Sequence, residues 1–78
     1  MITTLYKLKD GEEARVLNIL GGHGVRQRLS HCGVHPGDRV RVIRNGFLGG
    51  PVLIDIHGAE VAIGQGMARK VEVEVAEL

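Results

Sequence analysis

The sequence predicts a mainly β fold: a small barrel of about five short strands with one or two short helices. Three observations predict it. Valine, leucine and isoleucine supply most of the apolar content, while Tyr6 and Phe47 are the only Phe, Tyr or Trp residues. Twelve glycines punctuate the chain at short intervals, which favours brief strands and tight turns over long helices. Each sheet face reads as half apolar, so closing the sheet on itself buries such strands and leaves few open edges. At 78 residues the chain makes one domain, 1–78, with a thin core.

The elements follow in order. Lys9-Asp10-Gly11-Glu12 reads as a turn after a short opening segment. Residues 13–20 form the first strand; Leu17, Ile19 and Leu20 break its alternation, so a bulge is expected near Asn18. Gly21-Gly22-His23-Gly24 is a flexible connector. It lacks the Gly-Lys-Ser/Thr of a phosphate loop and the surrounding βαβ unit, so its glycines serve a sharp strand-to-helix turn. Residues 25–32 form an amphipathic helix with Val25, Leu29 and Cys32 on one apolar stripe. Gly33 ends it in the left-handed conformation, Val34 packs back on the helix end, and Pro36 prevents a restart.

Residues 39–44 are the clearest strand, with Val40 and Val42 inward and Arg39 and Arg41 outward. A glycine-rich loop at 45–51 leads to a strand carrying Val52, Ile54 and Ile56. His57-Gly58-Ala59 makes a tight hairpin turn, Gly58 supplying positive φ. Residues 60–64 return antiparallel, 65–70 form a helical turn with Met67 and Ala68, and 71–76 alternate Val71, Val73 and Val75 with Glu72 and Glu74. An SH3-like barrel accommodates this series.

Composition excludes several function classes. Ten Lys and Arg against nine Asp and Glu give a net charge of +1, which is no nucleic-acid footprint, and the chain is short of aromatics on which bases could stack. A small nucleic-acid-binding barrel using Arg39, Arg41 and Arg44 is therefore the weaker alternative, and no nucleic-acid partner is expected. One cysteine excludes an intramolecular disulfide. No segment reads as a signal peptide or a membrane span, so a cytoplasmic protein that is not membrane-inserted is expected. No Ser-His-Asp or Cys-His-Asn set is present, and no enzymatic activity is expected.

The ordered motifs resemble the FeoA family of ferrous iron transport proteins. They are Asp10-Gly11-Glu12, Gly21-Gly22, Arg28-Leu29 ahead of Cys32-Gly33-Val34, Pro36-Gly37 before the valine strand, Gly49-Gly50-Pro51-Val52, Ala62-Ile63-Gly64, and the Ala68-to-Val75 ending. The resemblance implies a FeoA-type SH3-like domain. It also implies a cytosolic accessory protein that binds FeoB, the membrane ferrous-iron transporter with a GTP-binding domain. The same barrel occurs at the C-terminal end of DtxR-type repressors; no helix-turn-helix lies in these 78 residues, so sequence-specific DNA binding is not expected. Weak self-association is compatible with this picture.

Two groups of residues stand out as candidate sites. Phe47 and Leu48 place apolar side chains in a loop, either as a lid on the core or as an anchor for a partner. Arg26, Arg28 and His31 on the helix would extend that surface, and an arginine there could reach a partner's nucleotide. His31, Cys32 and His35 offer imidazole and thiolate groups to Fe2+ or Zn2+, which makes a metal-sensing adaptor the other alternative. Their spacing fits no standard zinc pattern, and Cys32 on the apolar stripe is expected in the core. No cofactor is required.

Overall fold

A thin aliphatic core has to be drawn from nearly every element of so short a chain. The computed structural model describes residues 1–46 and 48–76. The elements are β1 (Ile2–Thr4), a 3₁₀ turn (Leu5–Lys7), β2 (Glu13–Ile19), α1 (His23–His31), β3 (Arg39–Arg44), β4 (Val52–Ile56), β5 (Ala59–Ile63), α2 (Gln65–Ala68) and β6 (Val71–Val75). The strands form one antiparallel sheet in the order β1-β6-β2-β3-β4-β5. One face of β2 to β6 feeds a single apolar cluster, which Leu5, Leu8, Leu29, Val34 and Ala68 complete.

The mainly β class and the two short helices match expectation, but there are six strands, not five. The added one is β1, whose three residues pair with Glu72 to Glu74 of β6. A partner some seventy residues away leaves no local pattern to read. Leu5 and Leu8 in the opening segment are likewise buried, although neither stands in an alternating run.

The bulge expected near Asn18 is present. The β2–β6 register shifts between Val16 and Asn18, so Leu17 is an extra residue. That extra residue lets Val16 and Ile19 both face the core although they are three positions apart. The Asn18 side chain accepts the Ile19 backbone N–H at 2.9 Å, which holds the bulge in shape. A second shift between Val42 and Arg44 in β3 was not foreseen.

Helix α1 begins two residues earlier than expected, at His23, and ends at His31 in a two-bond closing turn. The Gly33 N–H donates to the Ser30 carbonyl and the Val34 N–H to the Leu29 carbonyl, both at 2.9 Å, with Gly33 at φ +84°. Val34 is wholly buried, as expected. Cys32 is not. It lies exposed at the helix end, because the turn that drives Val34 inward carries Cys32 outward. Val34 therefore occupies the place on the apolar stripe that the helical period assigned to Cys32.

Candidate functional site

Leu29 is the buried residue of α1, and it seats the helix on the core. The neighbouring positions stay at the surface. Arg28, His31 and Cys32 line one side of a groove of about 270 Å³, and Ala62, Ile63 and Met67 line the other. Arg26, also on α1, is exposed. Arg15 pairs with Glu74, Arg41 pairs with Asp55, and the Arg69 guanidinium lies 4.4 Å over the Tyr6 ring. Arg26 and Arg28 have no such partner among the described residues. The outward face of β3 is not a uniform basic stripe, since Arg41 sits between Glu13 and Asp55 across the two neighbouring strands.

The 45–51 loop is held from both ends. The Asn45 backbone N–H donates to Asp10 Oδ1 at 2.7 Å, and its side-chain amide donates to the carbonyls of Tyr6 and Leu8. The Gln65 amide of α2 donates to the carbonyls of Gly50 at 3.1 Å and Gly46 at 3.4 Å. Leu48 protrudes from this clamped loop, 93% exposed and at φ +56°. A leucine in that left-handed conformation costs about 1–2 kcal/mol, and its exposure excludes a lid role for it. Phe47 lies outside the described residues. Helix α2 touches both features, Gln65 holding the loop and Met67 lining the groove.

A third cluster centres on Asp38, which the sequence reading passed over. Its Oδ2 accepts the His35 backbone N–H at 2.8 Å and lies 3.6 Å from His35 Nδ1. Its Oδ1 is 3.0 Å from His57 Nε2 at the β4–β5 turn, and His35 Nε2 lies 3.0 Å from Ser30 Oγ. Partial burial pushes the Asp38 carboxyl up, but the His35 N–H, the His57 ring and the two imidazole charges together hold it below its ordinary value. A depressed carboxylate stabilises the fold above its unfolded pKa of about 3.9 and loses that contribution as pH falls through the folded value. Asp38→Ala is expected to lower stability by about 1–2 kcal/mol at pH 7. The difference from wild type should shrink below about pH 4, and urea titrations at pH 7 and pH 3 measure it. An equal loss at both values would exclude the charge as its source.

The structure does not bring His31, Cys32 and His35 to one point. His31 and Cys32 belong to the groove, whereas His35 turns to Ser30 and Asp38. Among the described residues no group of three His, Cys, Asp or Glu side chains is placed to hold a metal ion. The residues that hold the site together, Asp38, Asn45, Gln65 and Met67, were not singled out in the sequence. Asp38 directly after Pro36-Gly37 carried the clearest signal, as an acceptor able to close a turn.

Comparison with known proteins bears on the family and the fold. The FeoA domain family matches residues 3–75. A Methanocaldococcus jannaschii protein named Fe(2+) transport protein A is 46% identical over 69 residues, covering 88% of this chain and 82% of that protein. The crystal structure of an iron uptake regulatory protein, FeoA, superposes with a TM-score of 0.89 at 37% identity, covering 97% of this chain and 99% of the other. A manganese-dependent transcriptional repressor shares the fold at a TM-score of 0.89 and 21% identity; this chain covers 41% of it.

Proposed function

Since this chain belongs to the FeoA domain family, a family of ferrous iron transport proteins, we propose that it is a cytosolic accessory protein acting on a FeoB-type membrane transporter. In this reading it is a regulator or adaptor without catalysis of its own. No helix among the described residues is long and apolar enough to cross a membrane. The contact surface comprises Leu48 and its loop together with Arg26, Arg28 and His31 of α1.

The observation that carries the binding reading is Leu48. A bulky aliphatic side chain is fully presented to solvent, in a backbone conformation that disfavours it, on a loop clamped by Asn45 and Gln65. A purely structural position of this geometry would be filled by glycine. Leu48→Gly is therefore expected to leave stability unchanged or raise it by up to about 1 kcal/mol. The same change should weaken capture of the transporter from membranes of the native host by about tenfold. Undiminished capture would remove Leu48 from the contact surface, and recovery of RNA or ribosomes in place of a GTP-binding transporter would overturn the assignment.

A further inference from the structure

Strand β5 ends the sheet, with β4 on one side of it. The turn joining them has two residues, His57 and Gly58, with φ of +53° and +80°. In a primed two-residue turn the flanking pair exchanges both backbone hydrogen bonds, and so does every second pair beyond it. The register Ile56↔Ala59, Ile54↔Val61 and Val52↔Ile63 assigns those bonds to Ala59, Val61 and Ile63. The N–H and C=O groups of Glu60 and Ala62 consequently point away from β4. The usual protections of an edge strand are sparse here. β5 contains no lysine, no proline and no register shift, and Glu60 is its one charged residue.

The groove described above meets the end of this strand, at Ala62 and Ile63. Its lining comes from the end of β5, the last turn of α1 and Met67 of α2, with none from β4. Its floor is apolar, formed by Leu29, Ile63 and Met67, and Arg28 and His31 stand along the α1 side. Arg28 has no ion-pair partner among the described residues. A segment lying there would find backbone donors and acceptors on one side, an apolar floor beneath, and a free guanidinium on the other side.

We propose that the open edge of β5, facing α1 across this groove, binds an extended segment of a partner protein by strand addition, the segment alternating aliphatic with acidic side chains. Backbone bonds to Glu60 and Ala62 supply the register, aliphatic side chains enter the groove, and a carboxylate meets Arg28. This goes beyond the transporter reading by naming the conformation and chemistry of what binds, and it holds whichever protein contributes the segment.

The test uses the full chain, labelled with ¹⁵N, and a terminally blocked hexapeptide of alternating glutamate and valine. The expected result is that the amide signals of Glu60 and Ala62 shift on titration and that their exchange with solvent slows at saturation. A peptide with lysine in place of glutamate is expected to bind at least ~5-fold more weakly. Ala62→Pro deletes an outward N–H without removing a β4–β5 bond and should abolish binding. Arg28→Glu, at an exposed helical position, should reverse the preference between the two peptides, and it decides the matter if the proline variant does not fold. The proposal is overturned by absence of shifts at Glu60 and Ala62 at millimolar peptide, or by full binding to folded Ala62→Pro. Concentration-dependent shifts without peptide would also overturn it, since a second copy would then fill the edge. Peptide binding with no transporter capture would sink the transporter reading alone, and the reverse result would sink this one alone.

Discussion

Gly46→Ala is expected to destabilise the domain by about 3 kcal/mol or more, the range that severe core overpacking reaches. A methyl group at this position would lie 1.8 Å from the Gly50 carbonyl oxygen and 2.6 Å from that of Pro51. Both obstacles are backbone, so no side chain can rotate away; the chain itself must move. The movement would open the connection between β3 and β4, which are central strands of the sheet, and would separate the two carbonyls that share the Gln65 amide. For a domain of this size each kcal/mol lowers Tm by about 4–8 °C, so a fall of roughly 12–24 °C is expected by circular dichroism. Gly66→Ala is the control. Nothing lies within 4 Å of its added methyl group, and it stands in helix α2, so it should stabilise slightly, by about 0.5–1 kcal/mol. A fall of less than about 4 °C for Gly46→Ala, the equivalent of under 1 kcal/mol, would show that the loop yields and is no clamp for Leu48.

Gly46 also shows what the sequence could and could not reveal. The glycine-rich loop was legible as a loop, because glycine clusters between apolar runs mark turns. That Gly46 is required by contact with Gly50 was not, since the constraint comes from the fold of the loop back on itself. The same division runs through the chain. Val40-Val42, Val52-Ile54-Ile56 and Val71-Val73 announce their strands by alternation, and Gly33-Val34 announces the helix end by local chemistry. Helical period also placed Leu29 correctly in the core. It misplaced Cys32, because a stripe assumes that the helix continues, and the closing turn substitutes Val34 for it. β1 and the Asp38 clasp were missed for one shared reason. Each depends on a partner distant in sequence, Val73 for Thr3 and His57 for Asp38.

For the candidate site the limit was of a different kind. Residue chemistry pointed to His31, Cys32 and His35 as a unit because they are close in the chain. The fold divides them, giving two to the groove and one to the Asp38 clasp. Leu48 stands out in the sequence because an apolar residue in a glycine loop is unusual wherever the loop goes. The free edge of β5 could not be read in advance, since edge status is a property of strand order. The β5 sequence, Ala-Glu-Val-Ala-Ile, looks no different from that of an inner strand.

Leu29→Ala is expected to be the most damaging change in helix α1, costing about 3 kcal/mol. Helix α1 has nine residues, no side-chain cap at its start and no acidic residue in its first turn. Alone in water a helix that short is marginal. What holds it is Leu29, wholly buried in the core, together with the two hydrogen bonds that close its end and seat Val34. Removing the isobutyl group takes away the helix's one full anchor while leaving the sheet's own contacts in place. The loss should therefore be uneven: α1 amides should exchange with solvent markedly faster, and those of β2, β3 and β4 should change far less. Because Arg26, Arg28 and His31 ride on this helix, partner binding should fall with it although none of the three is altered. Cys32→Ala, three residues beyond Leu29 and exposed, should change stability by no more than about 0.5 kcal/mol. Uniform acceleration of exchange across helix and sheet would mean that α1 and the barrel unfold as one unit. A loss below about 1 kcal/mol, well under the range for a buried leucine, would mean that the closing turn at Gly33 and Val34 suffices to hold the helix, and that Leu29 is not what keeps the groove's wall in position.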